Sequence, residues 1–353
     1  MKINKGQFRL STKWENVKFN YRRGKGHLFA YMKNRVKWHY YPRLKIVSEF
    51  PDHIDIELST ACNLKCPMCY TITDSFKERV SRQNMSFDLF KKLVDECAAH
   101  NAYSIRLSFR GEPFLNPNII DMIKYAKDKG IKEISTLSNM LLITPEKFEK
   151  LIDAGLDWLT VSFDGYSPEV YEHIRAPAKF DEAVEKIRIF SEIKKRKNSI
   201  KPVLKIQSVW PAIRDNPQAF IDLFMPYADQ VASNPLIDHL QKDHEIEYEE
   251  NFTCPVLWQR LSIGSDGLVM LCINDERNEH LIGDVSKQTI YEVWNGGPMR
   301  KARELHLKHI GASNITPCKH CYLPRKTRRE VQSINGNEFK IENYTQRAQE
   351  IGK

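Results

Sequence analysis

The stretch Ile56-Glu57-Leu58-Ser59-Thr60-Ala61-Cys62-Asn63-Leu64-Lys65-Cys66-Pro67-Met68-Cys69-Tyr70 constrains this chain more than any other. An alternating apolar run ends in a tight loop that carries three cysteines at C-x3-C-x2-C spacing. Three thiolates so close together need something to bind, since they cannot all pair with one another as disulfides. Soft thiolates select zinc or iron–sulfur clusters. A structural zinc site wants four closed ligands, and the loop offers three. Three cysteines on a [4Fe–4S] cube leave one iron without a protein ligand, which makes such a site reactive rather than structural.

Composition sets the frame for that loop. The chain has 353 residues, 41% hydrophobic and 28% charged, which fits a globular protein of about two domains. No apolar run approaches the roughly 20 residues that a membrane span requires. Met1 through Gln7 lack the apolar core of a signal peptide. A cytoplasmic location is therefore expected, and eight cysteines in a reducing compartment favour metal ligation over disulfides. The formal charge of +9 is unevenly spread. Residues 1–45 hold thirteen Lys/Arg against one acidic residue, Glu15, so the rest of the chain is slightly acidic. Aromatic residues such as Trp14, Tyr21, Phe29, Trp38 and Tyr40 are interleaved with these basic ones. The pattern suits nucleic acid, nucleotides or an anionic membrane surface. The plainer expectation is an extension at residues 1–50 whose aromatics pack on the body while its charges face water. No RNA- or DNA-binding motif accompanies it.

From about residue 52 strands and helices alternate. Strands are predicted at 53–59, 103–109, 132–137, 158–163, 202–209 and 229–234. Helices are predicted near 86–99, 117–129, 145–154, 179–196 and 215–226. Ser86 is placed to cap one helix, Thr144-Pro145 opens another, and Gly130 and Gly155 stand at helix ends. Regular βα alternation implies a parallel sheet covered by helices. Six such units fall short of a closed eight-fold barrel, and in barrels the working residues lie at the C-terminal ends of the strands. Cys97 shares a helical face with Phe90, Leu93 and Val94 and reads as core. Further on, 237–253 reads as a polar linker. Cys254 follows, then a β-hairpin signal around Ser265-Asp266-Gly267 that ends at Cys272, and finally a C-x2-C pair, Cys318 and Cys321. Four such cysteines suit structural zinc or a fully ligated [4Fe–4S] cluster, and spacing does not separate the two. Residues 326–353, polar and charged, are expected to form a peripheral helix or a loose tail.

Cys62, Cys66 and Cys69 just after a first strand resemble the radical S-adenosylmethionine (SAM) enzymes. The resemblance implies an α/β fold, a partial (β/α)6 TIM-like barrel over residues 51–236. It implies a [4Fe–4S] cluster whose open iron is chelated by SAM. One electron then cleaves SAM to a 5′-deoxyadenosyl radical that takes hydrogen from substrate. It also carries over site residues. Gly111-Glu112 resembles the family's Gly-Gly-Glu motif, with Arg110 in place of the first glycine. Ser138 and Asn139 stand where relatives often have Thr-Asn-Gly and are placed to bond ribose or carboxylate. Ser162 and Arg175 follow the fourth strand, and Met68 matches the position whose backbone meets adenine. The segment Cys254 to Cys272, with Gly283-Asp284-Val285 and Trp294-Asn295, resembles the SPASM/twitch extension. This implies a small C-terminal α+β metal-binding domain over 237–325, with one auxiliary [4Fe–4S] cluster on Cys254, Cys272, Cys318 and Cys321. The resemblance names no catalytic acid, base or hydrogen donor.

The implied reaction is oxidation of a carbohydrate-like or nucleotide-linked small molecule, with a reducing partner such as flavodoxin or ferredoxin. A peptide substrate, epimerised or crosslinked, is the second reading. A third, from another class, is a non-catalytic metal-stabilised protein that binds nucleic acid.

Overall fold

The computed structural model describes residues 8–10, 12–236, 246–334, 336–345 and 350–351. The linker expected at 237–253 lies outside the described residues over 237–245. One ten-stranded sheet dominates. Its strands in chain order are β1 (Phe8–Arg9), β2 (His53–Ile56), β3 (Ser104–Arg106), β4 (Glu133–Ser138), β5 (Trp158–Ser162), β6 (Val203–Val209), β7 (Gln230–Asn234), β8 (Arg260–Ile263), β9 (Leu268–Met270) and β10 (Leu281–Asp284). Strands β2 to β7 are parallel neighbours in sequence order. The crossovers between them are the helices Phe87–Ala99, Ile119–Asp128, Pro145–Asp153, Phe180–Arg196 and Pro217–Phe224. This is the partial barrel that the sequence predicts. The capping residues work as expected. Ser86 accepts from Leu89 N and Thr144 from Lys147 N, and Gly130 and Gly155 take φ of 90° and 86°.

Alternation along the strands separates two environments. Ile54, Ile56, Ile105, Ile134, Leu159, Val161, Leu204 and Ile206 are buried in the main hydrophobic core. Helical side chains such as Phe90, Phe148, Phe190 and Phe220 belong to the same core. The intervening strand positions are polar and also buried: Asp55, Ser104, Glu133, Ser135, Thr160 and Lys205. Buried polar groups must find partners. Asp55 is bound by Arg106 at 2.9 Å, His53 at 3.3 Å and Arg260 at 3.4 Å. Burial alone would raise its carboxyl, but Arg106 and then Arg260 and His53 outweigh that and hold it well below the usual carboxylate range.

Three features depart from the sequence reading. The chain beyond residue 253 extends the barrel sheet: β8 pairs in parallel with β2, Ile54 opposite Leu261, and β9 and β10 follow antiparallel. The sequence separates these segments by about two hundred residues, so periodicity does not reveal their pairing.

In place of the expected peripheral helix or loose tail, β11 (Thr327–Ile334) and β12 (Asn337–Tyr344) form an antiparallel hairpin. Its cross-strand charges include Arg329 with Glu342 at 3.1 Å. Polar composition had hidden the few apolar positions that anchor it, Ile334, Ile341 and Tyr344, which are buried.

The basic extension forms two helices, Lys13–Gly24 and Leu28–Leu44. They cover the N-terminal ends of the barrel strands. The Arg23 guanidinium forks Glu133 at 2.7 and 3.0 Å and lies 4.1 Å over the Trp158 ring. Lys37 reaches Asp52 at 2.9 Å, and Gln259 donates to the Trp38 carbonyl at 2.8 Å. Phe19 and Tyr31 pack inward, as expected, but Trp14, Phe29 and Tyr40 face solvent while Arg23 is buried. The physical reason is the barrel's polar end, which offers carboxylates such as Glu133 that need cations more than it offers apolar surface.

Replacing the buried Asp55 by Asn leaves two half-buried cations, Arg106 and Arg260, without their counter-charge. Removing one partner from such a site costs about 3–5 kcal/mol. The depressed carboxyl contributes stability fully above about pH 4 and loses it as pH falls further. Asp55→Asn is therefore expected to lower the melting temperature at neutral pH, with the gap to wild type closing in acid. Thermal denaturation of both proteins across pH 3–7 checks it.

Candidate active site

The loop after β2 carries Cys62, Cys66 and Cys69 over the C-terminal end of the sheet, opposite the two N-terminal helices. All three are free thiols. The Cys69 N–H donates to the Cys66 carbonyl at 2.9 Å, and the Leu64 N–H approaches the Cys62 Sγ at 3.4 Å. Lys65 N–H donates to the Ala176 carbonyl at 3.0 Å, which ties the loop to the segment following β5. Burial pushes the Cys66 thiol up to about 11, with nearby Arg175 partly offsetting it. Such thiols become ligands against a cationic centre, which reverses the cost of their ionisation.

The strand-end residues predicted from sequence gather around this loop. Gly111 lies against it so closely that an added Cβ would stand 2.3 Å from the Ala61 carbonyl oxygen and 2.5 Å from that of Ser59. The Glu112 N–H donates to the same Ala61 carbonyl at 2.7 Å. The Glu112 carboxylate accepts from the Ser138 hydroxyl at 2.7 Å, the Asn139 N–H at 2.8 Å and the Phe114 N–H at 3.2 Å. Burial nevertheless raises its carboxyl to about 7, against the pull of these donors. The Asn139 amide donates to Asn63 Oδ1 at 2.8 Å and comes within 3.9 Å of Cys62 Sγ. Glu112, Ser138 and Asn139 thus form one buried network that fixes the loop after β4 against the cysteine loop. Ser162 ends β5, half-buried, and Met68 packs partly buried against the core. Arg175 is held by Asp164 at 2.5 and 2.7 Å, and Asp164 in turn accepts from Val209 N at 2.8 Å. Cys97 is fully buried within its helix, and burial drives its thiol far up.

Sequence reasoning missed Glu57 and the true role of Arg110. The Arg110 guanidinium forks the Glu57 carboxylate at 2.6 Å through two nitrogens, both side chains fully buried. Its remaining nitrogen reaches Asn278 Oδ1 at 2.7 Å and the Glu276 carbonyl at 3.3 Å. Glu57 also accepts from Ser265 N at 3.1 Å, in the turn between β8 and β9. The departure from glycine at position 110 was the one available signal.

Cys254, Cys272, Cys318 and Cys321 come together in the C-terminal part, all buried and all free. Burial first, and neighbouring thiols second, push Cys254 up to about 12 and Cys318 well above the usual range. Two further side chains belong here. Asn274 donates to Cys321 Sγ at 3.3 Å. His306, from the helix Gly297–Leu307, accepts from Cys254 N–H on Nδ1 at 3.4 Å. Burial, then Lys45, lowers its imidazole to about 4, so it is neutral. The proton then sits on Nε2, 3.6 Å from Cys318 Sγ. Nothing in the spacing of His306 from these cysteines marks it. Among the described residues no group of three His, Cys, Asp or Glu side chains is gathered to hold a single metal ion. A [4Fe–4S] cube places a separate iron before each thiolate and does not ask the sulfurs to crowd one point.

A parallel partial barrel that carries a three-thiol loop at its strand ends fits what the family models find. The family model for the Radical SAM superfamily matches residues 56–205, and that for an iron-sulfur cluster-binding domain, SPASM, matches residues 254–322. The chain thus carries a Radical SAM domain at residues 56–205 and, C-terminal to it, a SPASM domain. These domains take SAM and [4Fe–4S] clusters, and the donor sets described above fit them.

The AdoMet-dependent heme synthase of Methanosarcina barkeri is 32% identical over 140 residues, 39% of this chain and 39% of that protein. The GTP 3′,8-cyclase of Limosilactobacillus fermentum is 27% identical over 154 residues, 43% of this chain and 46% of that protein. The chain thus spans less than half the length of these curated relatives. Among solved structures, Streptococcus suis SuiB bound to S-adenosylmethionine superposes with a TM-score of 0.56 at 14% identity, covering 88% of this chain and 82% of that one. BtrN in complex with AdoMet and 2-DOIA gives 0.53 at 17% identity, covering 77% and 92%. At these identities the likeness is one of fold.

Gly111→Ala is expected to displace the cysteine loop, since the obstacle is backbone. Overpacking of this kind costs about 1–3 kcal/mol. Iron analysis of the reconstituted variant should show about half the wild-type content, with the distal four cysteines still loaded. Full iron content in the variant would contradict the reading.

Proposed function

We propose that Cys62, Cys66 and Cys69 hold the SAM-binding cluster and that Cys254, Cys272, Cys318 and Cys321 hold one auxiliary cluster. The protein is then an oxidoreductase acting on a carbohydrate-like or nucleotide-linked small molecule. When bound, the first cluster and SAM supply a 5′-deoxyadenosyl radical that removes a hydrogen atom from substrate. The chain's own residues provide placement and shelter. Glu112 and Asn139 fix the loop that faces the thiols. Gly111 lets the loop after β3 approach it. Asp164 holds Arg175 beside Cys66, where its cation can meet the carboxylate of bound SAM. Met68, in the cysteine loop, and Ser162, at the end of β5, complete the proposed SAM contacts. Neutral His306 and Asn274 direct N–H groups at the sulfurs of the auxiliary set, and such donors tune a cluster's potential.

The observation that carries this reading is the bonding of Glu57. One carboxylate at the end of the strand that feeds the first thiol loop binds Arg110 and the turn of the second thiol segment. Both thiol sets therefore belong to one rigid unit, as an enzyme needs if its auxiliary cluster is to accept an electron from oxidised substrate.

Buried polar side chains at the strand ends, such as Ser138 and Asn139, suit a small polar substrate. The basic aromatic helices stand at the other end of the barrel and offer no support for a phosphorylated substrate. The reading brings with it a reducing partner of flavodoxin or ferredoxin type and a cytoplasmic setting. A peptide substrate is the second reading, favoured by the 28% identity over 110 residues to the PqqA peptide cyclase of Bradyrhizobium diazoefficiens.

The test combines metal analysis with SAM cleavage under reducing, anaerobic conditions. About eight irons per chain and 5′-deoxyadenosine formation that Cys66→Ala abolishes are expected. Turnover should then follow on aminocyclitols or nucleotide sugars and not on peptides. Zinc in place of iron, with no cleavage, would overturn the assignment. Cleavage stimulated by peptides alone would replace the small-molecule reading with the second one.

A further inference from the structure

The two N-terminal helices bury a mixed face and expose an apolar one. Their barrel-facing side carries Phe19 and Tyr31 together with Arg23, Asn34 and Arg35, which are buried or half-buried, and Arg23 is spent on Glu133. Their outer side is apolar. On the first helix Trp14, Val17 and Tyr21 are exposed, at spacings that put them on one face. On the second, Phe29, Met32, Val36 and Tyr40 continue the pattern, with Leu44 beyond them. Phe29 is 78% exposed and Trp14 67%. Most large hydrophobic side chains exposed among the described residues lie between Trp14 and Val47. Isolated exposed apolar residues need no explanation, but a contiguous set marks an interaction surface.

The charges around this face are positive apart from Glu15, whose carboxylate accepts from the Thr12 N–H at the start of the first helix. Lys13, Lys18, Lys25, Lys33 and Arg43 are exposed beside it, and the sequence holds no acidic residue from Asn16 to Ser48. An occupant must therefore combine negative charge with depth for aliphatic side chains. A second copy of the chain would bring like charges together. A nucleic acid would satisfy the lysines and stack on the aromatics, yet it gains nothing from Val17, Met32, Val36 and Leu44. A bilayer of anionic lipid supplies both: headgroups for the lysines, whose stems reach up from the apolar face, and acyl chains for the rest. No described helix is long and apolar enough to cross a membrane, so the pair would lie on the surface.

We infer that the outer face of Lys13–Gly24 and Leu28–Leu44 docks the protein on an anionic lipid surface, with the barrel end opposite the thiol loop turned toward the membrane. The cysteine loop and its surrounding strand ends then open away from the lipid, accessible to substrate and reductant. This inference does not depend on which substrate the enzyme takes.

Vesicle flotation of the full, cluster-loaded chain tests it. Binding to vesicles of mixed phosphatidylglycerol and phosphatidylcholine is expected, with little binding to phosphatidylcholine alone, and it should weaken as salt is raised. Replacing both Trp14 and Phe29 by Ser, or both Lys18 and Lys33 by Glu, should each lower the partition about tenfold or more. All four positions are exposed, and unchanged iron content and circular dichroism would show that the variants fold. No flotation with either vesicle, equal flotation with both, or undiminished flotation of the serine variant would overturn the inference. So would displacement from vesicles by equimolar single-stranded RNA. A dimer in free solution that Phe29→Ser converts to monomer would assign the face to self-association instead.

Discussion

The buried pair of Glu57 and Arg110 is the contact on which the rest of the upper barrel depends. Each side chain is wholly withdrawn from water, and two hydrogen bonds of 2.6 Å join them. A buried ion pair adds little net stability over an apolar one, but either partner left alone is costly. Its effect is therefore positional. Glu57 sits where β2 becomes the cysteine loop, Arg110 precedes the glycine that touches that loop, and the third partner is the β8–β9 turn. Any shift of one segment relative to the others would strand a charge in a low-dielectric setting. The three segments are thereby held in one register, although they are distant in the chain.

The same economy runs through the molecule. The barrel buries a polar strand face as well as an apolar one, and the polar face requires partners at both ends. At the upper end, Glu112 receives Ser138 and Asn139, and Asp164 receives Arg175 and Val209. At the lower end, Glu133, Asp52 and Asp229 receive Arg23, Lys37 and Arg22 from the N-terminal helices. These helices therefore spend part of their basic charge on the barrel. Much of their apolar surface remains turned outward.

Local pattern carried much of this into the sequence. Period-2 runs and capping residues mark β2 to β7 and their helices within a few residues, because strand and helix ends follow from side chains close by. The thiol loop was legible because chemistry demands three soft donors at short spacing. Gly111, Glu112, Ser138 and Asn139 were singled out through the family resemblance and not through periodicity, and they lie at successive strand ends. Their hydrogen bonds to one another were not found, since a side chain's partner across two strands leaves no trace in spacing. His306 and Asn274 stand beside the distal thiols without any local signature. The hairpin Thr327–Tyr344 was hidden because its outward positions are charged and outnumber Ile334, Ile341 and Tyr344.

By itself, then, the sequence determined the kind of fold, which rests on short-range periodicity, and it marked the clustered sulfur donors, whose iron–sulfur chemistry only the family resemblance implied. Only the tertiary structure decided that β8 lies beside β2, that Arg110 in a glycine's place binds Glu57, and that the basic helices close the barrel at the end away from the thiols. Those facts arise from burial, where a charge or a polar strand face must find its complement anywhere in the chain. Which complement it finds is set by three-dimensional proximity and not by distance along the sequence.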